Sequence, residues 1–210
     1  MIIDNLIIEY DIRMAGPTLL LDKGVLSEED YNHLISLPKN ERYVATGKLQ
    51  INNPEYYDVI KDGYKKYTKL FIESNNIKED DILEINNDAV WLIGKVPNKL
   101  KFGKIEFVKK SEYTLVFVVK PRVKIYFNEN VNLSHYDRIR VRGATLNVAS
   151  SLYKEIDKLF LLYSQKKTEI LYNELHRLLK YYTKNKDPEN NLLNNIENLL
   201  ILKKLIKYML

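Results

Sequence analysis

Asp11-Ile12-Arg13-Met14-Ala15-Gly16-Pro17-Thr18-Leu19 is the stretch on which the fold turns. Residues 2–10 ahead of it carry Ile2, Ile3, Leu6, Ile7 and Ile8, an apolar run of strand character that delivers a carboxylate at its end. Pro17 suits the first turn of a helix, where its missing N–H is no loss; Thr18 to Leu21 supply the apolar face, and Gly24 stops the helix. A second acid, Asp88, stands in Asn86-Asn87-Asp88 between the short apolar runs Ile82, Leu83, Ile85 and Ala89 to Ile93. That pattern predicts a β-hairpin with an acid in its turn.

Between these acids the chain is helical in pattern. Ser27-Glu28-Glu29-Asp30 is an N-cap followed by acids in the first turn, opening a short helix through Leu34 and Leu37. Leu37-Pro38-Lys39 breaks and restarts the chain as a third helix bearing Lys39, Arg42, Tyr43 and Lys48, so 18–50 reads as a small helical insertion. Pro54 precedes a long amphipathic helix, 57–74, with Val59, Ile60, Tyr64, Tyr67, Leu70 and Phe71 at helical spacing. Further strands are predicted at 104–108, 113–119, 123–127 and 139–141. From Asn147 onward two helices, 148–184 and 189–209, are joined at Lys186-Asp187-Pro188. The expected class is α+β, with a domain at 1–146 and a C-terminal helical hairpin at 147–210.

Composition narrows the chemistry. Hydrophobic residues at 45% and charged residues at 29% are globular proportions. With no cysteine, thiolate chemistry is excluded, and with only His33, His135 and His176, scattered and without ligand spacing, zinc is disfavoured against oxygen ligands suited to Mg2+ or Mn2+. No apolar run is long enough for a membrane span and no basic leader opens the chain, so a cytoplasmic protein, in the host cytoplasm if viral, is expected. Abundant Lys, Asn and Ile with 16 tyrosines resemble the product of an AT-rich phage or bacterial genome.

A net charge of +5 and a pI near 9.0 lean toward a polyanionic partner. Arg138, Arg140 and Arg142 alternate with Ile139 and Val141, so on a strand the three guanidinium groups share one face that suits a phosphate backbone. Lys120, Arg122 and Lys124 repeat the alternation. A solvated sheet face explains both rows equally. Tyr153, Tyr163, Tyr172 and Tyr182 fall at the spacing of a helix core stripe, and Trp91, just past the hairpin turn, reads as core.

Strand, acid, helical insertion, long helix and acid-bearing hairpin occur in an order that resembles the palm of family B DNA polymerases. Their first motif, Asp-x-x-Ser-Leu-Tyr-Pro-Ser followed by aliphatics, aligns without a gap on Asp11 to Leu20, with Pro17, Thr18, Leu19 and Leu20 on its proline, serine and aliphatics. Their Gly-Asp-Thr-Asp-Ser turn is similar to Ile85-Asn86-Asn87-Asp88-Ala89 at its second acid. The resemblance implies Asp11 and Asp88 as catalytic metal ligands, with the backbone carbonyl of Ile12, and Mg2+ or Mn2+ as cofactor. By order of elements it implies Lys39 and Arg42 on the triphosphate. Val108-Lys109-Lys110-Ser111-Glu112-Tyr113 is similar to a Lys-Lys-x-Tyr segment on the primer-template, which brings in Lys109 and Lys110, and Tyr136 to Gly143 resembles a Lys-Gly segment before the thumb. Asn86 stands where the family has an acid, Gly16 where it has a tyrosine, and its Lys-x-x-x-Asn-Ser-x-Tyr-Gly motif is not recognisable.

These readings imply a replication or nucleic-acid-processing protein with a polymerase-like palm, a small fingers-like insertion and a thumb-like end. It would be a DNA-directed DNA polymerase-like nucleotidyltransferase if active. One form of this is the C-terminal piece of a split DNA polymerase, partnered by another polymerase chain or replication protein. The alternatives are a non-catalytic palm-derived module that binds nucleic acid, and a viral structural or interaction protein in which the two acids never meet.

Overall fold

The computed structural model describes residues 1–120, 123–130, 132–142, 153–184 and 192–210. The architecture is α+β, and the chain folds as two compact units, Ile7–Glu112 and Met1–Leu6 with Tyr113–Leu210. The boundary expected after residue 146, like Arg122, Gly143 and the joint at 186–188, falls outside the described residues. No described helix is long and apolar enough to cross a membrane.

In the first unit the end of β1 (Ile2–Ile12) lies between β3 (Ala89–Ile93) and the beginning of β5 (Ile105–Lys120), in the order β2-β3-β1-β5, with β2 spanning Ile82–Asn86. The two-residue strand β4 (Lys101–Phe102) pairs with β5. Between β1 and β2 run α1 (Ala15–Lys23), α2 (Glu28–Ser36), α3 (Lys39–Asn52) and α4 (Glu55–Ser74). Local chemistry sets their ends. Gly24 closes α1 at φ 77, a left-handed conformation that glycine adopts without strain, and the Ser27 hydroxyl accepts the Asp30 N–H at 3.1 Å to cap α2. Pro38 and Pro54 stand just ahead of α3 and α4.

The apolar side of α4 packs on the sheet. Phe71 stacks on Phe107 of β5 with ring centroids 4.2 Å apart, and Tyr10 of β1 tilts against it at 5.7 Å. Trp91 is fully buried, as expected. On the same helix Gly63 lies so close to Leu19 of α1 that a Cβ there would stand 2.7 Å from a leucine methyl.

In the second unit the rest of β5 pairs with β6 (Val123–Phe127), and β6 with β7 (Ile139–Arg142), all antiparallel. Phe117, Phe127, Phe160, Leu175, Leu202 and Leu205 belong to one core that joins these strands to helices. A single helical turn α5 (His135–Arg138) precedes β7, followed by α6 (Tyr153–Ser164), α7 (Thr168–Lys184) and α8 (Leu192–Met209).

Several expectations are corrected. The strands predicted at 104–108 and 113–119 are one strand, β5, because the polar run Lys109 to Glu112 stays extended with its side chains in polar contacts. The helix expected over 148–184 breaks at Lys166, which takes φ 55 while Lys166 and Lys167 donate to Tyr163 and Leu162, a left-handed helix stop without glycine. Tyr182 is core and Tyr163 packs against it, but Tyr172 is 49% exposed. The row of three arginines is not formed. Arg138 ends the helical turn before β7, and its guanidinium is held by both carboxylate oxygens of Asp157 and donates to the Leu133 carbonyl at 3.0 Å. Only Arg140 and Arg142 lie on β7, opposite Tyr126 and Lys124.

Two substitutions test this packing. Gly63→Ala should lower unfolding stability in urea by about 1 kcal/mol despite alanine's better helix propensity, because overpacking against Leu19 outweighs it. Asp157→Ala, which strands the Arg138 guanidinium at a site where both side chains are about one-tenth exposed, should lower it by about 3 kcal/mol.

Candidate active site

Antiparallel pairing of β1 with β3 sets Asp11 opposite Ala89, the residue that follows the hairpin turn. Asn86 and Ala89 close a two-residue loop, with Asn87 in the left-handed region at φ 53, a conformation asparagine tolerates better than most residues. The Ile12 N–H then donates to the Asp88 carbonyl at 3.1 Å and fastens the turn to the strand end. Asp11 and Asp88 are thereby brought to the lining of one cavity.

Both carboxyls are largely withdrawn from water. Burial, followed by the hydrogen bond and charge of Asp11, pushes the Asp88 carboxyl from 3.8 up to about 7. The Oδ1 of Asp11 is buried without a hydrogen-bond partner.

Three further groups surround the pair. The Lys110 ammonium binds Asp11 Oδ2 and lies 3.9 Å from Glu9, whose fully buried carboxylate accepts the Ser111 hydroxyl at 2.6 Å. Burial works against the charge on Lys110, but the Asp11 hydrogen bond and the charges of Asp11, Glu9 and Asp88 outweigh it and hold its pKa above the ordinary value. Tyr64 faces the pair from α4, and burial, then Asp88 and Asp11, raise its phenol so that it stays neutral. The N-terminus of α1 begins at the cavity rim after Met14 at φ 49, with no side-chain cap and no acid in its first turn, so its positive end is left uncapped at the cavity that Asp11 and Asp88 also line.

These groups line a cavity of about 530 Å³. Asp11, Asp88, Ile12, Lys39, Arg42, Lys109 and Lys110, all expected at a site, border it. Their tasks differ from expectation in part. Arg42 also reaches the carbonyls of Ile35 and Leu37 at 3.4 and 3.3 Å and so caps the end of α2, while Lys109 pairs with Glu112 and Lys110 with Asp11. Arg138 is committed to Asp157.

Glu9 and Tyr64 belong to the site without being among the residues the sequence marks for it. Glu9 had a signal, since Glu9 and Asp11 share one face of a strand by alternation. Tyr64 had none beyond its place in an apolar helical stripe. Among the described residues no group of three or more His, Asp or Glu side chains is arranged to hold a metal ion, so any cation here would rest on the two aspartates and backbone oxygen.

The family described as bacteriophage PBS1 gene 130 protein matches residues 1–209 of the chain. The chain belongs to this family. That membership gives it a phage setting, in keeping with its composition, and assigns no reaction. No curated protein matches the chain.

The coupled carboxyls make a testable signature. Between about pH 4 and 7 the folded protein keeps a proton on Asp88 that the unfolded chain has released, so Asp88 lowers stability as pH rises through that window. Asp88→Asn removes this titration. The Tm of the variant minus that of the wild type should therefore rise from about pH 4 and level off above about 7.

Proposed function

We propose that this phage protein is a nucleotidyl-transfer module built on a palm of the family B DNA polymerase type. The observation that carries the reading is the juxtaposition of Asp11 and Asp88, one at the end of β1 and one in the neighbouring hairpin turn, beneath a cavity bordered by Lys39 and Arg42. The strand order β2-β3-β1-β5 supports it, since it sets the acid-bearing strand directly beside the acid-bearing hairpin.

The donor set suits a hard divalent cation. Asp11 Oδ1 is buried without a partner, and the Asp88 carboxyl, raised by burial first and by Asp11 second, stands in the same cavity, two oxygen donors of the kind a hard cation takes. Mg2+ or Mn2+ held there by Asp11, Asp88 and the Ile12 carbonyl would supply activation of a primer 3′-hydroxyl and offset charge on departing pyrophosphate. The chain's own part is orientation. The uncapped start of α1 together with Lys39 and Arg42 receives the triphosphate, and neutral Tyr64 closes the α4 side without adding negative charge. In the split-polymerase form of this reading a second phage chain supplies exonuclease and template-binding parts.

Two observations favour a second reading, a palm-derived module that binds nucleic acid without catalysis. The Lys110 ammonium already neutralises Asp11, and Asn86 replaces an acid of the turn.

Thermal unfolding with added Mn2+ separates the two. At about 100 times its Kd a bound ion stabilises by about 2.7 kcal/mol, several degrees of Tm for a chain of this size. The catalytic reading expects this rise in the wild type, its loss in Asp11→Asn and Asp88→Asn, and a rise at lower Mn2+ in Lys110→Ala, together with Mn2+-dependent extension of a primed template. A shift unchanged in both aspartate variants places any ion elsewhere and removes the catalytic reading.

A further inference from the structure

A second cavity of about 530 Å³ lies on the other side of Tyr64, between α4 and the β2–β3 hairpin. Its rim is a row of three lysines with the single carboxylate of Glu73 at one end. Lys61, Lys65 and Lys69 recur every fourth residue along α4, so they fall on one stripe with ammonium groups spaced by roughly 6 Å of helix rise. Its floor is apolar: Ile72 and the ring of Tyr64 from the helix, and Ile85, 49% exposed, from the hairpin. Beneath the row sits Thr68, 5% exposed, whose hydroxyl has no hydrogen-bond partner. Asn87, at the tip of the hairpin beside Asp88, closes one end.

We propose that this groove binds a single strand of nucleic acid, with successive phosphates on Lys61, Lys65 and Lys69 and a base laid on Ile72, Ile85 and Tyr64. The pairing of a cationic rim with an apolar floor is what selects this ligand. A phosphate backbone needs spaced cations, whereas an unpaired base needs a flat apolar or aromatic surface, and single-strand binders combine the two. The existing partners of the lysines are weak competitors. Lys65 and Lys69 meet Asp62 and Glu73 at 3.6 and 3.8 Å, but every member of these pairs is more than half exposed, and such pairs contribute little. The Thr68 hydroxyl offers the strand a hydrogen bond that the protein leaves unmade.

The groove deepens the proposed function and rests on it only for its purpose. Tyr64 borders both cavities, so a strand in the groove arrives next to the aspartate pair. Its occupancy needs no metal, which lets the two ideas fail separately.

The test is fluorescence anisotropy of a labelled oligothymidylate in EDTA, titrated with the full-length protein at several salt concentrations. The wild type should bind, and Lys61→Gln/Lys65→Gln/Lys69→Gln should bind at least about tenfold more weakly at low salt, with the slope of log affinity against log salt reduced by about 2. Ile85→Gln should weaken binding with the slope unchanged, because it removes a base contact and no charge. A control triple, Lys23→Gln/Lys101→Gln/Lys180→Gln, removes the same charge at exposed positions outside the groove and should bind nearly as the wild type does. Equal affinities of wild type and groove triple overturn the proposal, as does an equal loss in the control. Displacement of the oligonucleotide by polyglutamate at equal charge concentration also overturns it, since the groove would then take acidic polypeptide. Asp11→Asn should bind the strand normally in EDTA, and the groove triple should keep any Mn2+ shift of Tm, so loss of the metal site leaves the groove standing and loss of the groove leaves the metal site standing.

Discussion

The hydrogen bond from the Ile12 N–H to the Asp88 carbonyl joins the end of a central strand to the tip of a neighbouring hairpin, and the site depends on it. β-pairing aligns Asp11 with Ala89, and this bond ties Asp88 itself, within the two-residue turn, to the strand end. With the turn fastened, Asp88 has one place to go, beside Asp11, and the two carboxyls meet where neither is well hydrated. Helices α1 and α3 then bring cationic groups and an uncapped helix start to the rim, and α4 brings Tyr64. Each contributes by virtue of where the strand end and turn are held.

Charge inside this unit is handled by mutual neutralisation. Glu9 is fully buried yet has the Ser111 hydroxyl and the nearby Lys110 ammonium. Lys110 in turn binds Asp11, and Asp88 adjusts by holding a proton. Removing any one member leaves another buried group short of a partner, which in a low-dielectric setting is a larger loss than the missing bond itself. The same logic operates at Arg138 and Asp157 in the other unit, where a two-bond ion pair is about one-tenth exposed.

The parts of this structure that could be read from sequence are those set by local chemistry. β1 and the hairpin announce themselves by apolar runs around an asparagine-rich turn, and α1 to α4 by Gly24, Ser27, Pro38 and Pro54 at their ends. The meeting of Asp11 and Asp88 was legible only through the order of elements. What escaped depends on contacts distant in sequence or on backbone states without a marker. Arg138 looks like a strand residue until Asp157, in another helix, is known to hold it. Lys166 stops a helix with neither glycine nor proline. Lys109 to Glu112 look like a loop because the partners of Lys110 and Ser111 lie on another strand while Lys109 and Glu112 pair with each other, and Tyr64 is an ordinary stripe residue until α4 is known to cross the aspartates.

The continuity of β5 governs how length can vary along the chain. Because alternate residues of a strand point to opposite faces, one residue inserted near Ser111 would leave Ile105 and Phe107 in place and reverse every side chain from Tyr113 to Val119. Leu115, Phe117 and Val119 would exchange their buried positions for those of their neighbours. An insertion ahead of the strand, at Gly103, where φ is 62 and a Cβ would meet nothing within 4 Å, disturbs no such alternation. Natural length differences among members of this family should therefore collect in the β4–β5 turn and spare the polar middle of β5, which looks like a loop in sequence and behaves as a ruler in the fold.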